Sequence, residues 1–170
     1  MENDKLNQLF QDNYKKIFLL SLKMLKSEED AEDATQDIFM KAFQNIEKFR
    51  YEAKFSTWLY RIALNHIYTM QKNKAKNYHY DLSQVANSQS SSTTPESVLR
   101  EKELFSKLEE LIDSLPRRQK EVFLLRYYAE FPFHKIAEIC KRSVGAVKSS
   151  YFFAMQKIKN GLEKDRLLDF

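Results

Sequence analysis

Asp30, Asp33 and Asp37 are the first residues here whose types and spacing could do chemistry. At about 100° per helical residue they fall within about 60° of one another. With Glu29 they form the carboxylate set that a metal-dependent nuclease would use, but no histidine and no second carboxylate group in the sequence converges on them. The other readings are a solvated helix face and a surface that avoids polyanions. The segment from Ser27 to Met40 holds six acids and no base.

The next constellation is Arg61, Asn65, Tyr68 and Lys72, which share a helix face by the same period. Cations for phosphate, an amide for base edges and a ring for stacking suit single-stranded nucleic acid. Phe49, Tyr51 and Phe55 precede this face, and each either stacks on a base or closes the core. A third group lies near the C-terminus: Lys148, Ser149, Phe152, Phe153, Gln156 and Lys157 stand off the packing stripe of Val147, Tyr151, Ala154 and Ile158. Its two phenylalanines either meet DNA methyl groups and sugars or cover a neighbouring helix. His66 falls on an apolar stripe and reads as a satisfied core residue. Cys140 and the three scattered histidines offer no zinc cluster and no internal disulfide, so no metal or cofactor is expected.

These residues need long helices to position them, and only two glycines and three prolines occur in 170 residues. The pattern predicts an all-α chain of two small helical domains joined by a flexible linker: 1–75, a serine-rich tether at 76–98, and 99–170. The tether carries serines at 83, 88, 90, 91, 92 and 97 and no sustained apolar period. In the first lobe, helices are expected over residues 5–25, from a Ser27 cap to near Glu47 with Ala31, Ala34, Ile38, Ala42, Phe43 and Ile46 inward, and from a Ser56–Thr57 cap to near Asn73. In the second, a helix capped by Thr94 with Pro95 at its first position runs to near Ser114, another spans Arg117 to about Tyr128, and Phe133–Cys140, a short turn and Val144 to about Leu162 make a helix-turn-helix.

Charge divides the same way. Lys48 to Lys76 holds seven bases against Glu52, and His134 to Lys159 six against Glu138, although the net charge is only +4. Two basic stretches imply two contacts with a polyanion. No apolar run of signal or membrane length opens the chain, and the lone cysteine fits a reducing cytoplasm.

Residues 30–67, DAEDATQDIFMKAFQNIEKFRYEAKFSTWLYRIALNHI, resemble region 2 of the extracytoplasmic-function group of bacterial sigma factors, small members of the sigma-70 family. Residues 108–159, from LEELIDSLPRRQKEVF onward, resemble their region 4. The resemblance implies a transcription initiation factor without catalytic residues, with core RNA polymerase and promoter DNA as partners and room for an anti-sigma protein. Asp33, Gln36 and Asp37 match positions that dock on the polymerase, and Phe49 and Asn65 match positions near the extruded base of the minus-10 element. Lys148, Ser149 and Phe152 match positions facing the minus-35 element. Phe153 and Ser150 stand where many relatives carry Arg, and Lys141 stands where a turn Gly is common. A one-lobe helix-turn-helix regulator working without polymerase is the rival, and it leaves the first lobe unexplained.

Overall fold

Ser27 begins the second helix because its side chain can do what the missing preceding turn cannot. In the computed structural model, which describes residues 2–49, 54–78 and 96–164, Ser27 is extended and its Oγ accepts the Asp30 N–H at 3.3 Å. Just before it Lys26 is left-handed, with φ 62°, and its N–H donates to the Leu22 carbonyl, ending helix α1 (Glu2–Leu25). Helix α2 (Glu28–Gln44) then runs to a single 3-10 turn at Ile46–Lys48 and so stops short of Glu47 as an α-helix.

Helix α3 (Phe55–Tyr78) opens a residue before the expected Ser56–Thr57 cap: the N–H groups of Thr57 and Trp58 already donate to the Lys54 carbonyl. Thr57 is therefore inside the first turn and fully buried, its Oγ1 without a partner. Three further helices complete the turn-linked second half after α4 (Glu96–Asp113): α5 (Arg117–Tyr127), α6 (Phe133–Cys140) and α7 (Val144–Lys164). Every described element is helical. Most of the tether, the Thr94–Pro95 cap and Tyr51 lie outside the described residues.

Two compact units result, and they do not follow the linear division at the tether. The first takes α1, α2 and α3 together with the segment from Leu124 to Val144, which includes α6. Its core is Ile17 and Leu20 from α1, Ala31, Ala34, Ile38 and Ala42 from α2, and Leu59, Tyr60, Ala63 and Ile67 from α3. An alanine-rich stripe on α2 lets its neighbours approach closely, and burying the larger side chains around it stabilises the unit by about 25 cal/mol per Å² of apolar surface. The α6 segment joins this unit through named contacts. The Phe131 ring meets buried Tyr60 edge-on at 4.7 Å, Lys135 Nζ donates to Ser56 Oγ at 2.6 Å, and the Arg61 guanidinium donates to the Glu138 carbonyl. Burial holds Lys135 below the usual lysine range, aided by Lys54 and opposed by Glu138.

The second unit contains α4, the start of α5 and α7, with Ile112, Leu115, Val122, Phe123, Ala154, Ile158 and Leu162 buried. Gly161 allows α7 to lie against α4, since a Cβ there would sit 2.3 Å from Leu111 Cδ2. Lys120 pairs with Asp113 at 2.8 Å.

Candidate nucleic-acid and partner interfaces

The acidic face of α2 is narrower than the helical period predicts. Asp33, Gln36 and Asp37 are exposed, but Asp30 is half-buried: Lys74 of α3 donates to its carboxylate and, with Ser27, holds it below the usual carboxylate range against the opposing effect of burial. Asp30 is thus a structural ion pair, and the outward charge is carried by the other two aspartates. Among the described residues no group of three or more His, Cys, Asp or Glu side chains can hold a metal ion.

Phe43 departs from the core position expected of it. It is 64% exposed, because Ala42, a step of about 100° away, takes the inward place. Together with Phe10, Gln11, Tyr14, Phe39 and Met40 it lines an apolar groove of about 440 Å³ between α1 and α2. The floor is aromatic: Phe39 stacks on Tyr14 at 5.4 Å and meets Phe10 edge-on at 5.5 Å. Gln36, Met40 and Phe43 lie on one side of α2, so the exposed surface passes from acid to apolar within a helix width.

Between α2 and α3 lies a second cleft, of about 410 Å³, lined by Lys41, Asn45, Trp58, Ile62, Asn65, His66 and Thr69. Ile62 and Trp58 are half-exposed walls of this cleft. His66 is 8% exposed and only half satisfied, which corrects its reading as a satisfied core residue. Its Nδ1 is 2.6 Å from Lys41 Nζ, while its Nε2 completes no hydrogen bond and sits 3.4 Å from the Asp37 carboxylate. Burial, then Lys41, pushes the imidazole below its ordinary range, with Asp37 opposing.

Beside the cleft mouth, Phe49 packs on Trp58 at 5.2 Å and Phe55 at 5.8 Å. Phe55 is buried and closes the core, whereas Phe49 stays half-exposed. Of the predicted basic face, Asn65 and Lys72 are exposed and Tyr68 is half-exposed. Arg61 is not free to take a phosphate in this arrangement, because its Nε donates to the Glu138 carbonyl at 3.1 Å.

On α7 the angular split predicted from sequence recurs. Val147, Ala154 and Ile158 are buried, Tyr151 stacks on Phe123, and Lys148, Ser149, Phe152, Phe153, Gln156 and Lys157 are exposed. Phe152 and Phe153, 61% and 50% exposed, touch each other edge to face at 5.7 Å. The turn before α7 is closed by Lys141 in the left-handed region, φ 52° and ψ 54°, and the Arg142 N–H donates to the Ala137 carbonyl at 2.9 Å.

Sequence reasoning missed the Lys41–His66–Asp37 group, the apolar groove and the α6 contacts. Only the first left a trace: Asp37 and Lys41 are four residues apart, but nothing in the spacing ties them to His66.

A three-helix unit with an acidic, aromatic and basic surface, followed by a helix-turn-helix, is a plan suited to a nucleic-acid-binding protein. The known proteins agree region by region. Residues 9–77 match the model for Sigma-70 region 2 and residues 105–158 that for Sigma-70, region 4. ECF RNA polymerase sigma factor SigW of Bacillus subtilis is 34% identical over 148 residues, covering 81% of this chain and 79% of its own. The ECF RNA polymerase sigma-E factor of Haemophilus influenzae is 34% identical over 146 residues, covering 81% and 77%. The chain belongs to the sigma-70 family, in its ECF group of RNA polymerase sigma factors. The fold agrees too: the sigma factor RpoE of Bartonella quintana, solved with the anti-sigma factor NepR, superposes with a TM-score of 0.73 at 18% identity over 94% of this chain and 97% of that one. CnrH, solved with the cytosolic domain of CnrY, superposes with a TM-score of 0.68 at 20% identity, over 94% and 88%. No helix among the described residues is long and apolar enough to cross a membrane.

Proposed function

We propose that this sigma factor divides initiation between its two regions, with residues 1–75 acting as region 2, 76–98 as the linker and 99–170 as region 4. Asp33, Gln36 and Asp37 dock on core RNA polymerase. Their exposure on one side of α2, after Asp30 has been neutralised by Lys74, is the observation that carries this assignment. Opposite charge across such an interface speeds encounter and fixes register more than it adds affinity.

Phe49, Arg61, Asn65, Tyr68 and Lys72 take the minus-10 element. Extruding a base costs about a few kcal/mol of unstacking, so a cleft with an aromatic wall and amide edges must return that energy for the DNA to open. The cleft at Asn65, Trp58 and Phe49 is suited to do so. Arg61 joins the set once α6 releases it, since its guanidinium is held by the Glu138 carbonyl. Lys148, Ser149, Phe152, Phe153, Gln156 and Lys157 face the minus-35 duplex, where lysines position on phosphate and the exposed rings suit thymine methyl groups.

The chain supplies no catalytic residue in this scheme, because phosphodiester synthesis belongs to the polymerase. Its place is the cytoplasm, where polymerase and genome are, and an anti-sigma partner that covers these faces would keep it inactive. Reconstitution with core polymerase followed by run-off transcription across genomic fragments tests the proposal. A stable holoenzyme giving discrete transcripts is expected. Failure to associate with core, with promoter binding by the chain alone, would instead make it a regulator that works without polymerase.

A further inference from the structure

The cleft between α2 and α3 contains one feature that the assignment of minus-10 residues does not use. Lys41 faces it, exposed at its rim, and its ammonium is docked on a nearly buried imidazole. An ammonium has donors only, so His66 Nδ1 must accept from it, and the neutral ring then carries its proton on Nε2. That proton lies on the side of the Asp37 carboxylate, 3.4 Å away. Asp37 and Lys41, both from α2, are the charged groups that face the ring, and each favours the same tautomer from its own side. The result is a lysine whose head is held at a defined point on the wall shared with Asn65, Asn45 and Thr69. A free surface lysine would be a mobile charge.

We infer that Lys41, positioned by His66, is a specificity-determining residue of the pocket that receives the extruded base, and that it selects bases carrying a ring carbonyl over adenine. This rests on the placing of the minus-10 base beside Asn65. The chemistry follows from donor count. Guanine, cytosine and thymine each offer a carbonyl oxygen with two lone pairs, and a fixed ammonium donates to it while the Asn65 amide, donor and acceptor both, reads a neighbouring edge atom. Adenine has no carbonyl. Its N1 and N7 both adjoin the exocyclic amino group, so a cation reading either edge meets a second donor.

His66 acts through Lys41 and is a positioning residue, which makes the selection sensitive to acid. Protonating Nδ1 removes the acceptor and sets two positive groups against each other, with only Asp37 to offset them. Asparagine at position 66 would retain a carbonyl oxygen as acceptor without a titratable group.

The test uses holoenzyme assembled from the full chain and core polymerase on a promoter found by run-off transcription. Abasic substitution at each non-template position of the minus-10 element first locates the extruded base, and the four bases are then compared there by competition binding. The wild-type chain should prefer a carbonyl-bearing base to adenine by about tenfold. Lys41→Ala, a change at an exposed position that the fold tolerates, should bring that ratio to within about threefold, and His66→Leu should do the same. His66→Asn should retain discrimination and hold it constant as the pH falls, whereas the wild-type ratio should decline. An adenine preference, or an unchanged ratio in Lys41→Ala, would overturn the inference while leaving the minus-10 assignment intact. If no position shows an abasic penalty in the wild-type holoenzyme, the assignment of this cleft to an extruded base fails, and the inference with it.

Discussion

On the proposed docking of α2, reversing the charge at Asp37 should separate polymerase binding from DNA reading. The side chain is 54% exposed and its neighbour at 3.4 Å is the neutral His66 ring, so it is available to a basic partner. Two unit charges about 4 Å apart interact by about 4 kcal/mol at an effective dielectric of about 20. Competition from water and the ordering of two side chains reduce this to about 1 kcal/mol of net attraction. Asp37→Arg replaces attraction with repulsion of similar size, a difference of about 2 kcal/mol, or about thirtyfold in the dissociation constant. The cost to the fold is smaller, since Asp37 is exposed and the contact it loses is the 3.4 Å approach to His66 Nε2. Titration of labelled full-length chain with core polymerase measures the first effect, and binding of the same chain to minus-35 duplex is the internal control. The thirtyfold loss should shrink as salt is raised. Core affinity within about threefold of wild type, or a matching loss of duplex binding, would refute the reasoning.

Lys141→Gly should raise stability by about 1 kcal/mol, read as a higher urea midpoint, because the left-handed backbone at φ 52° strains a residue with a Cβ. The folded state holds His66 below its ordinary value of 6.5, so the unfolded chain takes up this proton first. Its contribution to stability is therefore complete above that value and lost as the pH falls through the depressed one; denaturant midpoints should fall from about pH 7 to 5 in the wild type, with this component absent from His66→Leu. Phe153→Arg, which restores a guanidinium on the exposed face of α7, should tighten duplex binding and steepen its log–log salt dependence by about 0.9 for the added phosphate contact. An unchanged slope would place position 153 away from the DNA backbone.

Much of the fold was legible because helices report themselves through local rules. The Ser27 cap, the break between the helix ending near Ser114 and the one starting at Arg117, and the short turn between Cys140 and Val144 appear in the structure where residue type and spacing put them. The face of α7 was legible for the same reason, a 3.6-residue period over a long uninterrupted helix. The errors share a cause as well. Phe43 was assigned inward because period and apolarity allowed it, but several angular positions satisfied that rule and close packing chose the smaller Ala42. Asp30 was grouped with the exposed acids because its angle is right, and only the neighbouring helix brings Lys74 to it.

What the sequence by itself determined was the all-helical class, the order of the two regions and the types of side chain on each helix face, since all three depend on neighbours within a turn or on motifs read in a line. The tertiary structure alone decided which two of the three aspartates remain outward, that Arg61 is held by a carbonyl 77 residues away, and that His66 joins Asp37 and Lys41 at the wall of a cleft. Those are contacts between helices whose separation along the chain carries no periodic signal. The rotation of each helix about its own axis, set by which side chains fill the core, brings them together.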